Sequence, residues 1–158
     1  MTVLSRNHLF AAAALGAAAL VAAPAVAQEL LDIKVKVANS CAVTGQAIDF
    51  GTYYRGQSAD LPAEGALNLV GCPAGTIIVL GDGQFGGNGS RQLSAGGNFL
   101  PYRLYKDPAF SDEWQSAGLT LAEDVMNGSI PVYGVIAGGE DVSADEDYID
   151  SVQINVTF

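Results

Sequence analysis

Residue types that commonly do chemistry are scarce in this chain. His8 is the only histidine among 158 residues. It stands in a leader read below as removed, which leaves no imidazole base for a Ser-His-Asp or Cys-His nucleophile. Seventeen Asp and Glu residues keep a carboxylate pair of the glycoside-hydrolase kind open. In so acidic a chain such pairs arise by chance, and a carboxylate-based hydrolase is kept only as a third reading. Gly81-Asp82-Gly83-Gln84-Phe85-Gly86 has the spacing of a dinucleotide-binding turn and follows an apolar run. Such a turn must open a helix whose N-terminus faces the pyrophosphate, whereas Gly87-Asn88-Gly89-Ser90 follows here and reads as a loop. Asp49-Phe50-Gly51 spells the magnesium tripeptide of protein kinases without its companion motifs. Phe50 in a core and Gly51 at a bend is the plainer reading.

Glu140, Asp141, Asp145, Glu146, Asp147 and Asp150 crowd one stretch with carboxylate oxygens. Their spacing lacks the central glycine and closing glutamate of a calcium loop, so they read as a solvated acidic loop. Asn88-Gly89-Ser90, Asn127-Gly128-Ser129 and Asn155-Val156-Thr157 are formal glycosylation sequons, and Asn-Gly is also a good turn pair. Cys41 and Cys72 are the only cysteines. An even count in an exported chain reads as a disulfide, worth about 3–4 kcal/mol for a loop of this length. The alternatives are a free pair or half of a metal site, for which the missing histidines leave poor material. No catalytic residue, metal site or cofactor is expected.

Export is read from the N-terminus. Arg6 precedes a long Ala/Leu/Val run from Leu9 to Val21, and Ala25-Val26-Ala27 fits the small-x-small pattern of a secretory cleavage site. A retained membrane helix is the alternative, but the run is only weakly apolar and no Lys/Arg cluster follows it. Residues 1–27 are therefore expected to be a helical signal peptide cut between Ala27 and Gln28, with no membrane span in the mature chain. Loss of Arg6 makes the mature chain one unit more negative than the −10 of the whole. That charge argues against nucleic-acid binding and against anionic lipid.

The elements that would position any site are strands. Helical periodicity is almost absent after the leader, and 19 glycines with frequent Asn and Asp separate short β-branched runs. Leu31, Ile33, Val35 and Val37 alternate with Asp32, Lys34 and Lys36, the period of a half-buried strand. Further runs are Leu67–Val70, Thr76–Leu80, Leu100–Tyr105, a weak Leu119–Leu121, and Ile130–Ile136. Pro101 marks the fourth as an edge or a strand start. Ser151–Phe158 alternates cleanly, with Val152, Ile154, Val156 and Phe158 on one face. Gly81–Gly97 and Gly138–Asp150 read as loops. Six or seven such strands suggest one all-β sandwich. One clean strand lies ahead of the first cysteine, and another ends on Phe158 with nothing after it to cover its edge.

These residues also carry a resemblance. Ile33 to Tyr53 (IKVKVANSCAVTGQAIDFGTY), then Arg91-Gln92-Leu93, Gly96 to Asp107 (GGNFLPYRLYKD), Val132-Tyr133-Gly134 and Tyr148 to Phe158 (YIDSVQINVTF) resemble, in order, the spore coat protein U domain family. That family includes the Csu-type, archaic chaperone–usher pilins. Asp145-Glu146-Asp147 and Val135 depart from its usual pattern, both in or near loops, and put any shared surface contact there in doubt.

The resemblance implies an incomplete immunoglobulin-like β-sandwich of pilin type, residues 40–158, preceded by a donor-strand extension, 28–39. The missing strand would come first from a periplasmic chaperone and then, beyond an outer-membrane usher, from the neighbouring pilin subunit. Leu31, Ile33, Val35 and Val37 would be the donor residues; Val152, Ile154, Val156 and Phe158 would line the acceptor groove. Two halves of a strand-addition interface in one chain make the same case, and a head-to-tail contact that does not close gives a filament. The expected role is a structural subunit of a pilus or coat-like layer on the cell surface, supporting adhesion and biofilm formation. The alternative is a tip adhesin or surface-binding domain presenting Phe85, Phe99, Phe110 or Trp114.

Overall fold

The computed structural model describes residues 32–143 and 147–158. The signal-peptide reading, Leu31, Asp145 and Glu146 lie outside those residues. The chain divides after Lys36, and the second unit, Val37–Phe158, holds every strand found among the described residues. The fold is all-β, with no helix among the described residues.

Eight strands make two sheets: β1 (Ala42–Gly45), β2 (Leu61–Cys72), β3 (Ile77–Leu80), β4 (Arg91–Ala95), β5 (Asn98–Tyr105), β6 (Leu119–Thr120), β7 (Val125–Ile136) and β8 (Ile154–Thr157). One sheet runs β1-β2-β7-β5-β4 and the other β6-β3-β8, all pairs antiparallel. The long ladder from Leu61↔Ile136 to Cys72↔Val125 is the spine. Every second residue is buried along the middle of β2 and the last third of β7, with Leu67 and Leu69 on β2 and Val132 and Ile136 on β7. Leu100, Tyr102 and Leu104 of β5 meet Ile78 and Leu80 of the other sheet in one core.

Proline placement follows from hydrogen bonding. Pro62 lies on β2 beyond the reach of β1, Pro131 on β7 before β5 joins, and Pro101 on β5 before β7 joins. Each sits where its strand has one neighbour, so the missing N–H costs no ladder bond on the open side. Leu100–Tyr105, read as an edge or a strand start, is not an edge: β5 begins at Asn98 and lies between β7 and β4.

Three further differences have physical reasons. Gly81–Gly97 is not a single loop, because Arg91–Ala95 pairs with Asn98–Tyr102 across Gly96-Gly97, both at positive φ. Asn127-Gly128 is no turn but part of β7, opposite Val70 and Leu69; the longer ladder overrides the local preference. Asp32–Ser40 forms no strand, since an alternating run without a ladder partner has nothing to hold it extended. Asn88-Gly89 does turn, at φ 55 and 84, with Gly87 and Ser90 exchanging both backbone hydrogen bonds.

Candidate functional site

Two strand edges face each other across an opening in the sandwich. β1 ends one sheet and β8 ends the other, and neither outer edge has a ladder partner among the described residues. Near Gly45, where a Cβ would stand 3.1 Å from the Ile154 Cδ1, the two come close. Beyond Gly45 the chain leaves the ladder and lays Ile48 and Phe50 over two glycines of the spine. A Cβ at Gly65 would meet Ile48 at 2.6 Å and one at Gly134 would meet Phe50 at 2.7 Å. Glycine is needed at both places for the close approach.

Between these edges an open cleft of about 450 Å³ reaches into the core. Its walls are Ile48 and Phe50 from the crossing segment, Leu67 of β2, Val132 of β7, Leu104 and Tyr102 of β5, Leu80 of β3, and Val152 and Ile154 of the final segment. Phe50 and Tyr102 pack edge to face with centroids 6.1 Å apart. The final segment changes sheets here. Ile149 exchanges two backbone hydrogen bonds with Ser94 of β4, and five residues on Ile154–Thr157 pairs with β3. Asp150 and Val152, in the crossover, face the cleft.

The polar groups of the cleft gather at Asp150. Tyr102 Oη donates to Asp150 Oδ2 at 2.7 Å, and the backbone N–H groups of Gln84 and Ser151 donate to Oδ1. Burial, then the bond to Asp150, holds the Tyr102 hydroxyl well above the usual tyrosine range. Behind the wall, Arg91 is 3% exposed and gives its guanidinium hydrogens to the carbonyls of Gly81, Leu80 and Trp114, each at 2.9 Å. It ties the start of β4 to the end of β3.

The candidate residues divide as follows. Cys41 and Cys72 are joined by a disulfide that pins the start of β1 to the end of β2. Val152 and Ile154 line the cleft; Val156 is half-buried outside it and Phe158 is 59% exposed. Ile33, Val35 and Val37 are 86–88% exposed. Of the loop aromatics proposed for surface contact, Phe99 and Phe110 are partly open. Trp114 is fully buried, its backbone N–H bonded to the Leu104 carbonyl, and cannot meet a surface. Sequence reading did not assign Ile48, Phe50, Leu80, Leu104 and Val132 to a cleft, which they reach from four separate stretches of the chain; Phe50 was read only as core, and Leu80, Leu104 and Val132 only as strand residues.

The chemistry motifs take structural roles. Asp49 Oδ1 accepts the Gly51 N–H in a tight turn that sets Phe50 into the cleft wall. The glycine-rich run after β3 opens into the Gly87–Ser90 hairpin and β4, with no helix for a phosphate to cap. Among the described residues no three His, Cys, Asp or Glu side chains gather as metal ligands.

The sequence profile of the Spore Coat Protein U domain matches residues 27–155. The chain belongs to that family. No curated protein sequence matches this spore coat protein U domain chain significantly. Thirteen chains of solved structures do. One is in the crystal structure of the CsuC–CsuE chaperone–tip adhesion subunit pre-assembly complex from the archaic chaperone–usher Csu pili of Acinetobacter baumannii. The superposition has a TM-score of 0.56 at 20% identity and covers 75% of this chain but 39% of that one. At this identity the likeness is one of fold: an all-β sandwich similar to a pilin subunit.

Proposed function

We propose that this protein is a structural subunit of a surface fibre or coat-like layer, assembled by exchange of β-strands between copies. The observation that carries the reading is the apolar cleft between the outer edges of β1 and β8, which have no ladder partner among the described residues. An open cleft into a hydrophobic core is costly in water and is relieved by an apolar strand laid between the two edges. The chain carries such a segment: Leu31, Ile33, Val35 and Val37 alternate at the right period, and Ile33, Val35 and Val37 stand in solvent. Burying four such side chains contributes roughly 6–12 kcal/mol before entropy costs, and each ladder bond about 0.5–1.5 kcal/mol. Against a domain stability of about 5–15 kcal/mol, that makes a junction slow to reverse.

On this reading residues 28–39 are the donor extension and 40–158 the acceptor domain. Export through a leader cut at Ala27-Gln28 brings the chain to the periplasm. There a chaperone lends the missing strand and an outer-membrane usher hands the cleft to the neighbouring subunit's extension. The family and the likeness to a chaperone–pilus subunit complex support these partners and a structural, non-enzymatic role. The fibre would serve adhesion and biofilm formation at the cell surface. Deleting Glu29–Val37 should leave a folded, exported monomer and abolish fibres seen by electron microscopy. Normal fibres from the deleted chain would overturn the reading.

A second reading, a tip or surface-binding subunit, is favoured by Phe99, half exposed and packed against Phe85 with centroids 6.4 Å apart. Phe85→Ser with Phe99→Ser, in fibres that still assemble, would abolish attachment on that reading and leave it intact on the first.

A further inference from the structure

The cleft is not uniform along its length. On its side of the final segment Asp150, Val152 and Ile154 follow one another at the two-residue period of a strand. Two of these are apolar and the first is a carboxylate. Asp150 Oδ1 accepts two N–H groups, from Gln84 at 2.7 Å and Ser151 at 2.8 Å, while Oδ2 accepts the hydroxyl of Tyr102, itself 7% exposed. Oδ1 is thus saturated and Oδ2 keeps one free lone pair. A Cβ at Gly83, whose φ is +86, would collide with Oδ2, so the backbone is shaped to admit the carboxylate there. Once a strand closes the cleft, the free lone pair loses its water and requires an N–H or O–H donor.

The segment before β1 has that donor at the matching period. Counted in twos, its positions on one face are Leu31, Ile33, Val35, Val37 and Asn39: four apolar side chains and then a carboxamide. We propose that the Asp150–Tyr102 pair is a register stop for the incoming strand, occupied by Asn39 of a second copy of this chain, with Asn39 Nδ2 donating to Asp150 Oδ2. The occupant is a second copy because Val37, in the same unit as the cleft, is 86% exposed, and Asn39 is exposed with it.

The inference rests on the strand-exchange reading and adds direction and register to it. Asn39 opposite Asp150 sets Val37 opposite Val152, Val35 opposite Ile154, Ile33 opposite Val156 and Leu31 opposite Phe158, antiparallel to β8. All five pairs then point inward together, and directly opposed Cβ atoms about 5 Å apart allow the Asn39–Asp150 bond. In the reverse direction Leu31 would cover the carboxylate and Asn39 would sit among apolar groups. A slip of two residues would put Val37 or Cys41 there.

The test uses fibres of the full mature chain with the Cys41–Cys72 disulfide intact. Val37→Cys combined with Val152→Cys should cross-link neighbouring subunits on mild oxidation, and Leu31→Cys with Val152→Cys should not. The opposite pattern, or no cross-link from either pair in chains that polymerise, overturns the direction. Asn39→Leu should let subunits exchange out of fibres about tenfold faster, the size of one lost hydrogen bond. Asn39→Asp, facing the carboxylate with like charge, should go further, and neither should change unfolding of the monomer. Fibres of both variants as durable as the wild type overturn the register stop. Absence of fibres from the wild-type chain itself would instead overturn the strand-exchange reading, and the inference falls with it.

Discussion

The Tyr102 hydroxyl is the titratable group whose position in the cleft has the clearest consequence. Burial first, and then the bond to Asp150, raise its pKa above that of a tyrosine in water. The unfolded chain loses this proton near pH ~10, while the folded chain keeps it. The contribution is therefore fully present below about pH 10 and is lost as pH rises through and beyond that value. Urea midpoints measured from pH 7 to 11 should fall at the alkaline end. Tyr102→Phe should flatten that fall, at a cost of about 1 kcal/mol near neutrality for the hydrogen bond removed from Asp150. A variant that falls as steeply as the wild type would mean that Tyr102 does not carry the effect. None of this was legible in the sequence, where Tyr102 and Asp150 are 48 positions apart and each sits in an unremarkable context.

At the scale of elements, the segment after β1 is the decisive piece. Ile48 and Phe50 can cover the spine because Gly65 and Gly134 leave room for them. Gly134→Val should push Phe50 from the wall and destabilise the fold by about 1–3 kcal/mol, as overpacking does. A shifted urea midpoint with an unchanged slope would record it. The disulfide holds the other end of β1 against β2. Replacing both Cys41 and Cys72 by Ser should cost about 3–4 kcal/mol of stability on the chain-entropy estimate, seen as a lower melting temperature without loss of strand content. Strands with a strong apolar run, such as β3 and the Ile130–Ile136 part of β7, were readable directly. β1 (AVTG) and β4 (RQLSA) were not, because neither has a two-residue apolar pattern. They are strands because β2 and β5 offer them partners, a condition set by chain positions up to 28 residues away.

For the whole molecule, the proposed strand exchange separates stability from assembly. Ile33 and Val35 are 88% and 86% exposed, so the double variant Ile33→Asp, Val35→Asp should leave the unfolding free energy of the monomer within about 0.5 kcal/mol. The same variant should fail to form fibres, because two carboxylates would have to enter an apolar cleft. Unfolding curves and sedimentation on one preparation test both halves. A destabilised monomer would mean that these side chains already serve their own fold.

Legible in the sequence by itself were the strand class, a disulfide reading for its two cysteines, the alternating segment ahead of Cys41 and the face Val152, Ile154, Val156 and Phe158, of which the first two line the cleft. Each of these is a local period or an unavoidable count, and periods of two survive whatever the chain does elsewhere. Only the tertiary structure decided that β1 and β8 end different sheets with outer edges that have no ladder partner among the described residues, that Phe50 and Ile48 wall the opening between them, and that Asp150 lines it. Those facts depend on which strands find each other. Pairing is a long-range choice set by the free energy of the whole core, and no window of neighbouring residues contains it.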